Sequence, residues 1–398
     1  MLYIRCATVF TPYQEIREGA VLLDGPQIVA VGTPEQVPCP AGAELIDATE
    51  LLLTPGFIDL QINGAFGHDF TADPSSIWPV AELLPRYGIT AFLPTIITSP
   101  PETVAVAQQI ITQVPATGAR GAIPLGLHIE GPFLNPQKVG AHNPALLRPP
   151  DLAAVRNWSP ERGVRLVTLA PELPGAMDLI HALLDQGVTI SAGHSTATFE
   201  EAKAGFDAGI RYGTHLFNAM PPLHHRRPRL VGALLSDERT TVGMIVDGIH
   251  IHPSMVHLAW RALGPRRLNL VTDAMAALGM APGTHRLADS SVVVDGSSAR
   301  LADGTLAGSI LSLDGALRNL MDFVNCPLAQ AVPTVTSTAA DVLGLGGSRG
   351  CVAPGYAADL VLLTPDLEVH TTIVSGKVVY THPQNGASLG GQGRFRQS

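Results

Sequence analysis

Residues 123–130 read IPLGLHIE, an apolar run that ends on a carboxylate, Glu130. The pattern recurs: TISAGH closes on His194, YGTH on His215 and LNLVTD on Asp273. Each is a short β-like stretch with a chemically competent residue at its C-terminal end. In a barrel of parallel strands all such ends open on one face, so residues distant in sequence converge on one site. These four stretches therefore predict a (β/α)8 TIM-like barrel of the α/β class.

The runs between and around them complete the count. Gly56–Ile62, Thr90–Thr95, Ile123–Ile129, Val164–Leu169, Val188–Gly193, Arg211–Thr214, Val242–Val246 and Leu268–Thr272 make eight. Segments of helical period separate them, among them ETVAVAQQIITQV, MDLIHALLDQ and PSMVHLAWRAL. Thr198 with Glu201 three residues on predicts a capping box that opens the helix TFEEAKAGFDAG. Both chain ends differ, breaking into short β-like runs between Gly, Pro and Asp turns. Neither end can bury two sheet faces alone, so the two together predict a small β-sandwich domain, residues 1–54 plus 350–382. The barrel would occupy 55–349, and the Gly-, Ser- and Gln-rich residues 383–398 read as a mobile tail.

The composition is 46% hydrophobic and 15% charged, enough for an extensive interior. A net charge of −9 argues against nucleic acid or an anionic membrane as partner. Cys6, Cys39, Cys326 and Cys351 lie too far apart for a disulfide framework and read as free thiols. The start, MLYIRCATVF, lacks the pattern of a signal peptide, and no apolar run approaches a bilayer span. These features place the protein in the cytoplasm.

A catalytic zinc site typically takes three ligands from His and carboxylate and keeps one position for an acidified water. Glu130, His194 and His215 supply that set, and Asp273 is a carboxylate placed to shuttle the proton. Singly, each has a bland reading: Glu130 and Asp273 as caps, the histidines as ordinary structural residues. Structural polar residues have no reason to recur at strand ends, so the joint placement favours a metal-dependent hydrolase.

Seven motifs in order, PGFIDLQING (55–64), HIEGPFLNPQKVGAHNP, SAGHSTAT, THLFNAMPPL, VDGIH, LVTDAM and GTLAGS, carry a resemblance. The chain resembles the N-acetylglucosamine-6-phosphate deacetylases of the amidohydrolase superfamily. That resemblance implies metal-dependent removal of the acetyl group from N-acetyl-D-glucosamine 6-phosphate. It implies metal at Glu130, His194 and His215, and Asp273 as general base and then acid. It further implies that His142 acts near the acetamide, and that Asn218, Ala219, Arg226 and His250 hold the sugar phosphate. Leu306 becomes an apolar substrate contact. Arg226 would come from the neighbouring subunit, which implies a homodimer.

Many superfamily members carry His-x-His on the first strand, where this chain has Gln61 and Asn63. Amide side chains are weak zinc ligands, so one divalent ion per subunit is expected, zinc by donor type, with iron, manganese or cobalt fitting the same ligands. Gln61 is then free to hydrogen-bond the reacting water or substrate. His250 and His252 have metal-pair spacing but only His250 matches a substrate position. The loop GLGGSRG before residue 351 fits no phosphate-binding fingerprint. Two rivals stay open: a deacetylase of a related sugar phosphate such as N-acetylgalactosamine 6-phosphate, and a non-catalytic sugar-phosphate sensor.

Overall fold

Alternation along the strands sets which side chains fill the barrel and which face the helices. In Val164–Leu169, Leu166 packs with the inward cluster of Ile58, Leu60, Ala91, Leu93, Tyr212 and Val271, while Val167 and Leu169 join the outer core. The computed structural model describes residues 1–11, 13–113 and 120–383. Among them, the eight barrel strands are Phe57–Ile62, Ile89–Ile97, Leu127–Glu130, Val164–Leu169, Thr189–Ala192, Tyr212–Gly213, Thr241–Met244 and Leu268–Leu270. They pair in parallel and in sequence order. The seam between last and first is joined by Asp273 N–H to Gln61 O at 2.8 Å and Asn63 N–H to Ala274 O at 2.7 Å.

Helices arise where the periodicity placed them: Pro101–Thr112, Ala176–Asp185, Phe199–Ala208 and Pro253–Leu263. The capping box at Thr198 and Glu201 forms with both of its hydrogen bonds. The helices Arg229–Ser236 and Leu313–Val324 complete more of the outer layer.

The chain ends meet in one seven-stranded sheet, in which Leu2–Phe10, Glu15–Asp24, Gln27–Gly32 and Glu44–Pro55 join Leu360–Leu363, Val369–Val374 and Lys377–Thr381. Its pairs are antiparallel except the first strand with the fourth. A bridge between Gln27 and Ala357 returns the far edge to the segment entering Leu360–Leu363, so the sheet wraps its own core. Leu360 and Leu362 point into that core with Ile4, Leu23 and Leu53, whereas Val361 and Leu363 pack against the barrel side. A hairpin, Gly283–Leu287 with Ser290–Val294 and the short strand Ala299–Arg300, forms a separate sheet after the eighth strand.

No helix among the described residues is long and apolar enough to cross a membrane. The four cysteines are unpaired. Of the tail reading, 383–398, residues 384–398 lie outside the described residues.

Candidate active site

Strand parity aims Glu130 into the barrel mouth: Ile129 faces the outer core, so its neighbours His128 and Glu130 face inward. His194, His215 and Asp273 lie within three residues of the ends of short strands, and all three adopt left-handed backbone, with φ of 48°, 28° and 48°. Ala219 does the same at 50°. Such conformations cost about 1–3 kcal/mol each for non-glycine residues and persist where the surroundings impose them, as functional sites do. Gly193 is required by contact. A Cβ there would lie 2.8 Å from Thr214 Cβ and 2.9 Å from Thr168 Cγ2.

Glu130, His194 and His215 are buried and present their ligand atoms within 4.8 Å of one another. Glu130 Oε1 lies 3.0 Å from His215 Nε2 and 3.3 Å from His194 Nε2, and the two ring nitrogens are 3.0 Å apart. Those separations approach the ~3.3 Å edge of a tetrahedron with bonds of about 2.0–2.1 Å, so the donor set fits a divalent cation. His194 Nδ1 faces the Lys138 carbonyl at 2.8 Å. A carbonyl only accepts, so the proton sits on Nδ1 and the Nε2 lone pair is turned to the site. Glu172 holds the same turn from behind, accepting from Ser195 Oγ at 2.7 Å, the Thr196 N–H at 2.6 Å and Asn135 Nδ2 at 2.9 Å. Burial raises the Glu130 carboxyl, but the adjoining rings of His194 and His215 outweigh it and hold it well below the ordinary range.

Asp273 sits beside this set. It accepts from Asn63 Nδ2 at 2.7 Å and from Gln61 Nε2 at 3.2 Å, and Gln61 Nε2 also reaches Glu130 Oε1 at 3.0 Å. Burial, and then the Glu130 carboxylate, raise the Asp273 carboxyl above the usual carboxylate range. His142 Nδ1 accepts from the Thr98 N–H at 3.2 Å, which puts the proton of its neutral ring on Nε2. Burial first, and then His194, lower its pKa to about 3, so it is a neutral donor near neutral pH.

A cavity of about 380 Å³ opens over these groups. Its lining brings together Glu130, His142, His194, His215, Asn218, Ala219, His250, Asp273 and Leu306, residues from six of the sequence motifs. Two candidates stand apart. Gln61 is buried beneath the carboxylates and does not line the cavity, and Arg226 is solvent-exposed in the His224–Arg227 loop, outside its own chain's cavity. His252 accepts from the Ser254 N–H and caps the helix Pro253–Leu263, which accounts for it without metal.

The reading from sequence missed the wall formed by the hairpin, where Leu287 and Arg300 line the cavity. The β-branched run Val292–Val294 with the Asp-Gly turn that follows it is the signal that marks it. Gly308 lets the following segment approach the site: it has φ of 67°, and a Cβ would lie 2.9 Å from Asp273 O.

Comparison with known proteins places these features. The model of the amidohydrolase family matches residues 52–379. The chain is 41% identical over 351 residues to the N-acetylglucosamine-6-phosphate deacetylase of Mus musculus, covering 84% of this chain and 85% of that one. It is 37% identical over 330 residues to the N-acetylgalactosamine-6-phosphate deacetylase of Escherichia coli O157:H7, covering 82% and 87%. Among solved structures, an aspartate-to-alanine variant of the Mycobacterium smegmatis N-acetyl-D-glucosamine-6-phosphate deacetylase, in complex with N-acetyl-D-glucosamine 6-phosphate, superposes with a TM-score of 0.85. It is 34% identical, with 96% of this chain and 99% of that one covered.

Proposed function

The chain belongs to the amidohydrolase family, and within it we propose that it hydrolyses N-acetyl-D-glucosamine 6-phosphate to D-glucosamine 6-phosphate and acetate. The observation that carries this reading is the convergence of a buried Glu-His-His set, the Asp273 carboxylate and the neutral His142 ring in one cavity. High-coverage similarity to deacetylases of this substrate supports it. The relative that acts on N-acetylgalactosamine 6-phosphate keeps the epimer as the second reading. Comparing kcat/KM on the two sugars separates them: the account expects the gluco epimer to be preferred, and a preference for the galacto epimer would reverse the assignment.

An amide is a weak electrophile with a poor leaving group. Glu130, His194 and His215 would hold one divalent ion, zinc by donor type, which supplies an acidified water and polarises the acetamide carbonyl. His142 donates from Nε2 to the carbonyl oxygen as charge develops there. Asp273 takes the proton of the attacking water and delivers it to the departing nitrogen. Asn63 and Gln61 fix the Asp273 carboxylate between them. Asn218, Ala219 and His250 receive the sugar phosphate, and Leu306 packs on the sugar.

We place the protein in the cytoplasm as a homodimer whose Arg226 reaches the neighbouring cavity. Residues 1–54 with 350–382 would form its small domain and 55–349 its barrel. Arg226→Ala is expected to raise KM about tenfold or more with kcat little changed, since a guanidinium is matched to a phosphate. Co-expressing that variant with Asp273→Asn should restore the low KM in mixed dimers, where an intact Asp273 meets the intact Arg226 of its neighbour. No restoration would contradict the shared site.

The rate requires ionised Asp273, so activity is lost as pH falls through its pKa. The Asn63 N–H lowers that pKa. Asn63→Ala is therefore expected to move the acid limb of kcat to higher pH, and an unmoved limb would deny the bond this role.

A further inference from the structure

Behind His250 at the cavity wall stands a carboxylate, Asp247, that the chemistry above does not use. Asp247 and His250 follow the seventh barrel strand, and their side chains are only 11% and 6% exposed. Asp247 Oδ1 accepts from the backbone N–H groups of Ile249 and His250, both at 2.8 Å, and its Oδ2 lies 2.6 Å from His250 Nδ1. A carboxylate only accepts, so the proton between them belongs to Nδ1. The other ring nitrogen, Nε2, has no partner among the described residues, and His250 lines the cavity. Burial raises the Asp247 carboxyl, but the bonds from His250 and from the backbone outweigh it and keep it below the ordinary range.

We propose that Asp247 is a positioning residue for the phosphate: it locks the His250 ring with a proton on Nδ1, so that only the doubly protonated ring presents a donor, Nε2–H, to the phosphate oxygens. The inference rests on the sugar-phosphate reading of the cavity and deepens it. The reason lies in the tautomer. A neutral ring with its proton on Nδ1 offers a lone pair at Nε2, which opposes an anionic oxygen. Moving that proton to Nε2 would set a lone pair on Nδ1 against the Asp247 carboxylate. The doubly protonated ring satisfies both sides, donating Nδ1–H to Asp247 and Nε2–H to the phosphate. The pair thus selects for an anion at the Nε2 end, and couples phosphate binding to the charge on Asp247.

Asp247 also caps the turn through its two backbone bonds, so a test must leave the turn intact. Asn keeps Oδ1 as acceptor for both N–H groups, while at the Oδ2 position it removes the charge and puts a donor, Nδ2, where His250 Nδ1 had an acceptor. Metal-loaded Asp247→Asn is compared with wild type in steady-state deacetylation of N-acetylglucosamine 6-phosphate at pH 8, and in calorimetric binding of glucosamine 6-phosphate. Expected are a KM about tenfold higher, kcat within about twofold, and product affinity about tenfold weaker, as befits loss of one charge-assisted bond. In a His250→Gln background the same substitution should add nothing. An unchanged KM and affinity, or a loss that persists without His250, would overturn the proposal. A wild type that binds glucosamine 6-phosphate through Asp247 yet releases no acetate would instead sink the deacetylase reading and uphold the role of the pair.

Discussion

Asp273→Asn will keep metal and substrate binding while lowering kcat by about a thousandfold or more, at the upper part of the range for loss of a general acid–base group. Asparagine is isosteric and its oxygen still accepts from Asn63 Nδ2, which in this structure is 2.7 Å from the carboxylate. The cavity wall should therefore stand, and what disappears is the ability to take a proton from water and return it to nitrogen. Two steps fail together, since attack on the amide and departure of the amine both need that proton. Metal content by elemental analysis and substrate affinity by calorimetry, on the same preparation as the rate, decide the matter. Loss of metal with the rate would recast Asp273 as mainly structural.

The second large effect concerns the Glu-His-His set. His194→Ala is expected to leave the chain folded but with metal occupancy below about a tenth of wild type, and acetate release reduced on the order of a thousandfold or more. The ring lies 3.3 Å from Glu130 and 3.0 Å from His215, so its loss opens one whole edge of the donor set. The fold should survive because His194 sits above the barrel layers filled by Leu60, Leu93, Leu166 and Val271. Glu172→Gln, which loosens the turn without removing a ligand, should weaken metal binding by about 10–100-fold. A His194→Ala protein that retains metal and rate would break the account of the site.

Why the barrel was legible follows from parity and punctuation. Val164–Leu169 and Leu127–Glu130 read as strands because each is a short apolar run between turn signals, and Leu127–Glu130 ends on a carboxylate where a buried strand should carry none. The helix Pro253–Leu263 was legible from its period alone. The hairpin Gly283–Val294 was not, because its exposed Val293 and its polar face dilute the alternation. Contacts across the fold left still less trace. Glu172 grips Ser195 and Thr196 from another strand end, and Asp247 reads as one more polar loop residue until the turn folds Oδ2 onto His250. Gln61 shows the opposite limit: its place on the first strand marked it for the site, but only the structure puts its amide between Glu130 and Asp273.

Acetate release from N-acetylglucosamine 6-phosphate, with metal content determined on the same purified sample, is the decisive measurement. Release with about one metal ion per chain is expected. No release after metal reconstitution would contradict the deacetylase reading.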